Sequence, residues 1–325
     1  MGKINFLIRR TIQMLVTLWA VGTVLFFLFR LMPGDPTAYI LAPGMDAETR
    51  AQIVANYGLN EPLHIQYIKF FQNALMLDFG RSFHTNEPVA QVIVNYLPNT
   101  LVLMLTAYVL AYSVGITAGV FAGWNRGSNF ERGGVFVALM GRSIPRFWVG
   151  IVVLWIFGAW LGVIPMSGMR SMGTTPGSFL DTILSLDFLW HMIGPVLTLG
   201  FYFTGYPLLI MRNSMLETLS QDFIDLARAK GLSERQVMFK HGARNAMLPV
   251  ITAAAIAFGF AVGGQVLVEE VFGWPGIGRE MIRAVLRRDY PVAQATFLVL
   301  ASSVIFMNFI ADILYGFFDP RVTYD

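Results

Sequence analysis

Residues 221–250 read QDFIDLARAKGLSERQVMFKHGARNAMLPV. This is the most polar long stretch in a chain that is otherwise apolar. Glu217, Asp222, Asp225, Arg228, Lys230, Glu234 and Arg235 make it amphipathic and solvent-facing. Gly231 predicts the end of one short helix, and Ser233 is a fair N-cap for a second. Ala227, Ala229 and Gly231 present a small, knob-free surface, which suits docking into a partner's groove better than a merely solvated loop does.

On both sides of that stretch the chain turns hydrophobic. Of its 325 residues 55% are hydrophobic and 13% charged, and its mean hydropathy is +0.59. A soluble domain carries about 25% charged residues. A chain this poor in charge cannot cover a globule with polar surface, so an ordinary cytosolic enzyme and a disordered regulator are both excluded. Cysteine is absent, which removes a disulfide framework, a thiolate metal site and a Cys nucleophile. The net charge of +3 fits loop Lys and Arg of a membrane protein, not a nucleic-acid partner.

A bilayer core about 30 Å thick takes roughly 20 apolar residues in a helix. Six stretches qualify: 11–29, 97–122, one from just after Arg146 to Met166, 188–211, 246–268 and 292–317. The fold expected is therefore an all-α integral membrane protein with six transmembrane helices. The first span follows Lys3, Arg9 and Arg10 like a signal peptide, yet it is too long and has no small-x-small site before Arg30, so it reads as a retained span. With both termini placed inside, the inner segments 1–10, 123–146, 212–246 and the tail after 317 hold 14 of the 23 Lys and Arg, the Arg-rich 279–288 loop being the main exception. The division expected is an N-terminus and first span over 1–31 and an extracytoplasmic segment over 32–96 with helical patterns at 47–57 and 63–77. A core of five spans over 97–317 follows, carrying the inner loop 212–246, and then an inner tail over 318–325.

The spans are poor in chemistry. Asp312 and His191 lie near span ends, and no ionisable residue is expected at mid-depth, where an ion-coupled carrier needs one. No G-x-x-x-x-G-K-[ST], G-x-S-x-G or H-E-x-x-H occurs, and the four histidines are scattered, so neither a catalytic residue nor a metal site is expected. The Gly-rich 273–278 run reads as a tight turn. Gly115, Gly119 and Gly123, Gly158 and Gly162, and Gly259 and Gly263 form small-residue stripes, which favour internal packing over a dimer face. Tyr108, Tyr112, Tyr202, Tyr206 and Gln265 are candidates to line a wet path.

The inner loop also carries a resemblance. Ala227, Arg228, Ala229, Lys230, Gly231, His241, Arg244, Asn245, Ala246 and Pro249 match the pattern A-R-A-K-G…H-x-x-R-N-A-x-x-P. That is the cytoplasmic EAA loop of permease subunits of ATP-binding-cassette importers, in the variant of the dipeptide, oligopeptide and nickel permeases. Its acidic position falls on Asp225. The motif Met32–Pro33–Gly34–Asp35–Pro36, the segments 57–67, 78–82, 269–278 and 288–291, and the tail 319–321 resemble the same family along the whole chain, closest to its "B" subunit. Glu131 stands where many members carry Asp.

The resemblance implies a type I importer fold and a transport subunit that is not itself an enzyme. A sister permease would complete the path, two ATPase subunits would bind and hydrolyse ATP with Mg, and an extracytoplasmic binding protein would deliver solute. This chain would bind no cofactor. Asp222, Asp225, Ala227, Arg228, Ala229, Lys230, Gly231 and Leu232 would couple it to an ATPase. Asp35, Trp274, Arg288 and Asp289 would serve docking on the outer side. The location implied is a prokaryotic plasma (inner) membrane. Peptides are the first expected substrate, with nickel, glutathione, opines or oligosaccharides as alternatives. A stand-alone carrier and a membrane-embedded hydrolase fit less well, for want of an inverted repeat or mid-membrane charges and of a clustered catalytic set respectively, and the outer segment and the resemblance argue against an exporter permease.

Overall fold

The computed structural model describes residues 3–31, 60–173 and 177–318. The expected helix 47–57, the motif at 32–36 with Asp35, and the tail motif at 319–321 lie outside them. The described residues are helical, with one isolated antiparallel bridge between Arg81 and Pro88. They divide into two compact units. One comprises residues 1–100, 262–266 and 275–325, and the other comprises 101–261 and 267–274.

The first unit is built on two long helices, α1 (Lys3–Arg30) and α13 (Tyr290–Phe318). They run antiparallel. Arg10 pairs with Asp312 at 3.1 Å near one end, while Phe29 packs on Tyr290 and Phe297 near the other. Both have the length and apolarity of membrane spans. Ile8, Ile12, Leu15, Val16 and Trp19 of α1 stay exposed, as a lipid-facing surface requires. The helix α2 (Leu63–Leu75) lies on α1, where Phe26 meets Tyr67 and Phe70 edge-on or tilted and the Thr23 and Tyr67 hydroxyls share a hydrogen bond of 2.7 Å. The expected helical pattern at 63–77 is thus present. A second apolar cluster joins the start of α3 (Val89–Trp124), through Val89, Val92 and Ile93, to Ile277 and Ala284 of α12 (Ile277–Leu286) and to Val292 and Ala295 of α13.

The second unit surrounds α7 (Leu186–Leu219), a helix of 34 residues that contains Pro195 and Pro207. The continuation of α3 packs against it through the expected glycine stripe. A Cβ at Gly115 would stand 2.8 Å from the Thr204 carbonyl oxygen, one at Gly119 2.7 Å from that of Leu208, and one at Gly123 2.5 Å from Met215 Cβ. The stripe is internal, as expected. On another side lies α4 (Asn129–Ser143), with Gly141 against the Phe201 carbonyl and Gly205 against the Ala138 carbonyl.

Here the architecture departs from the expected spans. The segment 123–146, expected as an inner loop, is largely the helix α4. It runs along α7 from the level of Arg212, where Arg212 Nε donates to Glu131 Oε1 at 2.7 Å, to the level of Phe201. A bend of 105° at Ile144–Pro145 follows, then α5 (Arg146–Val153), which continues as a π-helix over Leu154–Trp160. The third apolar passage is therefore a broken pair that begins at Asn129, not a single helix that begins after Arg146. Pro145 supplies the break: it has no N–H for the ladder and stands as N-cap of α5. Arg132, Arg142 and two adjacent glycines kept α4 below the apolar threshold in sequence. The stretch 246–268 is likewise not one helix. It comprises α10 (Arg244–Gly259), a 3₁₀ turn (Phe260–Gly263) and α11 (Val266–Val271).

Because the Leu208 carbonyl belongs to a rigid helix, Gly119→Val should overpack the α3–α7 contact and cost roughly 1–3 kcal/mol in denaturant titrations of the detergent-solubilised protein. Gly133→Ala should be neutral or slightly stabilising, since a Cβ there meets nothing within 4 Å.

Candidate functional site

The inner loop forms as its sequence dictates. The helix α8 (Asp222–Ala229) has Asp222 and Asp225 in its first turn and Arg228 in its last, each favourable toward the helix dipole. Lys230 caps it, and Gly231 follows with φ +76°, a left-handed conformation open to glycine at little cost. Ser233 then starts α9 (Glu234–Gln236) with a reciprocal capping box to Gln236. This turn runs without interruption into a π-helix (Val237–Ala243) and α10.

One face of α8 is anchored. Ile224 is fully buried and Ala227 nearly so, packed with Val237, Trp124, Leu219 and Leu232. Ala227 and Leu232 thus hold the loop from within rather than offer it outward. The opposite face is exposed: Asp222, Asp225, Arg228, Ala229, Lys230 and Gly231 are joined there by Phe223 and Leu226. The Arg228 guanidinium lies 5.9 Å from the Trp124 ring and within ion-pair distance of Asp225 and Glu234. Phe223 and Leu226 were not picked out from sequence, although their i, i+3 spacing beside the acidic residues was a readable sign of a second apolar face.

The candidate path residues fall into distinct settings. Tyr108, Phe203 and Phe258 form a ring cluster, with centroids 4.4 Å apart for Tyr108–Phe203 and 5.5 Å for Tyr108–Phe258. Tyr112 packs on Phe258 and donates its hydroxyl to the Ala253 carbonyl at 3.0 Å. Both Tyr108 and Tyr112 are buried, so they hold α3 to its neighbours. Tyr202 is partly exposed and Tyr206 more so. Gln265 belongs to the first unit.

Two arginines join this group. The Arg146 guanidinium lies 3.9 Å from the Tyr202 ring centroid, with Nη2 donating to the Tyr202 hydroxyl at 2.8 Å, and Arg142 lies 5.6 Å from the Tyr206 ring. Tyr202 is 16 residues from Leu186 and 17 from Leu219 along α7. Both guanidiniums therefore stand beside the middle of α7. From sequence both were counted as inner-loop charges, since nothing local marks a guanidinium whose face is covered by an aromatic ring.

The outer-side candidates are mostly structural. Trp274 is fully buried, its ring centroid 5.5 Å from that of Phe188. The nearby Gly168 N–H donates to the Phe272 carbonyl. Asp289 is buried as well, accepting from Ser82 Oγ at 2.5 Å and from the Phe83 N–H at 3.1 Å. Together with a contact of 2.9 Å from His84 Nε2 to the Arg287 carbonyl, these bonds pin the 80–88 turn to the α12–α13 junction. Trp274 and Asp289 are thus each held inside their own unit rather than presented on its surface. Arg288 is exposed, with φ +58°. Among the described residues no group of three or more His, Cys, Asp or Glu is placed to hold a metal.

A helical, multi-span membrane component with an amphipathic polar loop between spans is the class these features define. Comparison with known proteins narrows it. The family of binding-protein-dependent transport system inner membrane components matches residues 115–324, and the N-terminal region model of such components matches residues 3–104. The oligopeptide transport system permease protein AppB of Bacillus subtilis is 37% identical over 98% of this chain and 99% of its own length. The di/tripeptide transport system permease protein DppB of Pseudomonas aeruginosa is 38% identical over 98% of each. The glutathione transport system permease protein GsiC of Salmonella paratyphi A is 36% identical over 99% of each. This chain belongs to the binding-protein-dependent transport system inner membrane component family, which the inner-loop and outer-segment motifs had pointed to.

The α12 helix offers one measurable property. Burial pushes the Glu280 carboxyl above the usual carboxylate range, against the opposing pull of Arg283 and Arg287. A carboxyl with a raised folded-state pKa adds most stability below its ordinary value and loses that contribution as pH rises through the raised one. Amides of α12 should therefore exchange more slowly near pH 4 than near pH 7 once corrected for intrinsic rates. Glu280→Gln should flatten that difference.

Proposed function

We propose that this chain is one of two permease subunits of an ATP-driven, binding-protein-dependent importer, and that its solute is a di- or oligopeptide. The observation that carries the reading is the inner loop: α8 is fixed on one side by Ile224 and Ala227 and offers Phe223, Leu226 and Ala229 on the other. Such a helix fits a groove on an ATPase subunit. The peptide assignment follows the named solutes of the relatives, in particular AppB and DppB, whereas the GsiC likeness favours a glutathione variant of the same machinery.

In this reading ATP binding closes two partner ATPases, which draw the coupling helices together and turn the path from inward-open to outward-open. The chain contributes no bond-making or bond-breaking. A sister permease supplies the other half of the path, and a binding protein docks on the outer side, on a surface that carries Arg288 beside the buried Asp289. ATP and Mg belong to the ATPases. The antiparallel pairing of α1 and α13 supports placing both termini on one side, the cytoplasmic one.

Ala229 is exposed at the end of α8, so a larger side chain there is tolerated by the fold. Ala229→Arg should leave the protein inserted and reduce peptide uptake at least tenfold, with ATP hydrolysis by the assembled complex no longer stimulated by loaded binding protein. Normal uptake by this variant would refute the coupling role.

A further inference from the structure

The turn between α3 and α4 carries a buried carboxylate for which neither the exposed face of α8 nor the 80–88 turn has a use. Glu131 is 6% exposed and lies in the first turn of α4. Its two oxygens are engaged in different directions. Oε2 accepts the Gly127 N–H at 2.5 Å, inside the turn. Oε1 accepts Nε of Arg212, on α7, at 2.7 Å, together with Nη2 of the same guanidinium. Gly127 has φ +83°, and Ser128 caps α4 by accepting the Glu131 N–H. One side chain therefore fastens the turn to α4 and to α7 at once. Three residues before Gly127, Trp124 packs with Ile224, Ala227 and Val237, and the Arg228 guanidinium of α8 lies 5.9 Å from its ring. The end of α3 thus rests on α8, while the start of α4 is bonded to α7.

We propose that Glu131 is a positioning residue for energy coupling: it makes the α3–α4 turn, α4 and α7 move together when α8 is displaced against Trp124. A buried ion pair adds little net stability over an apolar pair of the same shape, so stability alone does not account for one here. What it adds is direction. An apolar side chain would fill the space, yet could hold neither the turn N–H nor the plane of the Arg212 guanidinium. Nη1 of Arg212 donates to Asn213 at 2.8 Å, which fixes that plane from α7 itself. The end of α3 has no slack against α7 either, since a Cβ at Gly123 would stand 3.0 Å from the Arg212 carbonyl oxygen. Displacement of α8 then reaches α7 through Trp124 as well as α10 through Val237. This assignment rests on the importer reading and adds to it a second route from the coupling helix into the spans.

The chain has no cysteine, so paired spin labels can be placed at will. Gly133→Cys on α4, where a Cβ meets nothing within 4 Å, and Glu217→Cys on the exposed side of α7 give one distance across the clamp. The distance is read by electron–electron resonance in the complete complex with its binding protein, the other subunits freed of reactive cysteine. It should be the same in the nucleotide-free complex and in the complex trapped with ATP and vanadate. Glu131→Gln keeps the side-chain length and an acceptor for Gly127 but removes the charge that holds Arg212. In this variant the two distances should diverge, and the radiolabelled trialanine carried per ATP hydrolysed should fall at least fivefold. Glu131→Asp, which keeps the charge, should recover part of the ratio. A merely structural role would lower the amount of assembled complex and leave the ratio unchanged. Should Glu131→Gln fail to assemble, Arg212→Lys, which keeps the charge but not the fork, is read instead and should lower the ratio about twofold. An unchanged ratio or undiverged distances in an assembled variant, or distances that already differ in the wild type, would overturn the proposal. A wild-type complex that hydrolyses ATP but carries no trialanine would overturn the peptide reading and leave the distances to decide this proposal. A chain that binds no ATPase subunit would overturn the importer reading, and this proposal with it.

Discussion

Backbone-to-backbone contact along α7 is the constraint on which the second unit depends. A lipid environment supplies no hydrophobic drive for one apolar helix to leave lipid for another, so association rests on close van der Waals approach and on polar groups satisfied within the protein. Gly115, Gly119 and Gly123 on one side, and Gly141 and Gly205 on another, are where that approach is made. Each stands where a Cβ would collide with a carbonyl oxygen or with a side-chain carbon at its root. Pro195 and Pro207 are tolerated within α7 because the helices packed around it enclose the backbone groups they free.

Much of this was legible in the sequence, for a physical reason. Long runs without charge have few alternatives to a membrane span, and α1, α3, α7 and α13 correspond to four of the expected six. The inner loop was equally readable, because Gly231 and Ser233 act locally: a left-handed residue after the last turn and a side-chain cap before the next need no tertiary context. The glycine stripe of α3 followed from spacing alone.

What was not legible depends on contacts distant in sequence. That Arg142 and Arg146 are covered by aromatic rings is decided by Tyr202 and Tyr206, some 60 residues away. The same holds for Trp274, which reads as an exposed turn residue until Phe188 is placed over it. Asp289 looked available for docking because the groups that fill its acceptors, Ser82 and Phe83, lie more than 200 residues earlier. Ala227 and Ala229 are indistinguishable by residue type and differ only in which face of α8 they occupy.

The π-helix at Val237–Ala243 has a mechanical consequence. From Glu234 to Gly259 the backbone turns continuously, with no glycine in a left-handed state and no extended residue to serve as a joint. Val237, at the root of this rod, is packed against Ile224 and Ala227 of α8. A push on α8 has no slack segment in which to dissipate, so it is delivered as displacement to the foot of α10.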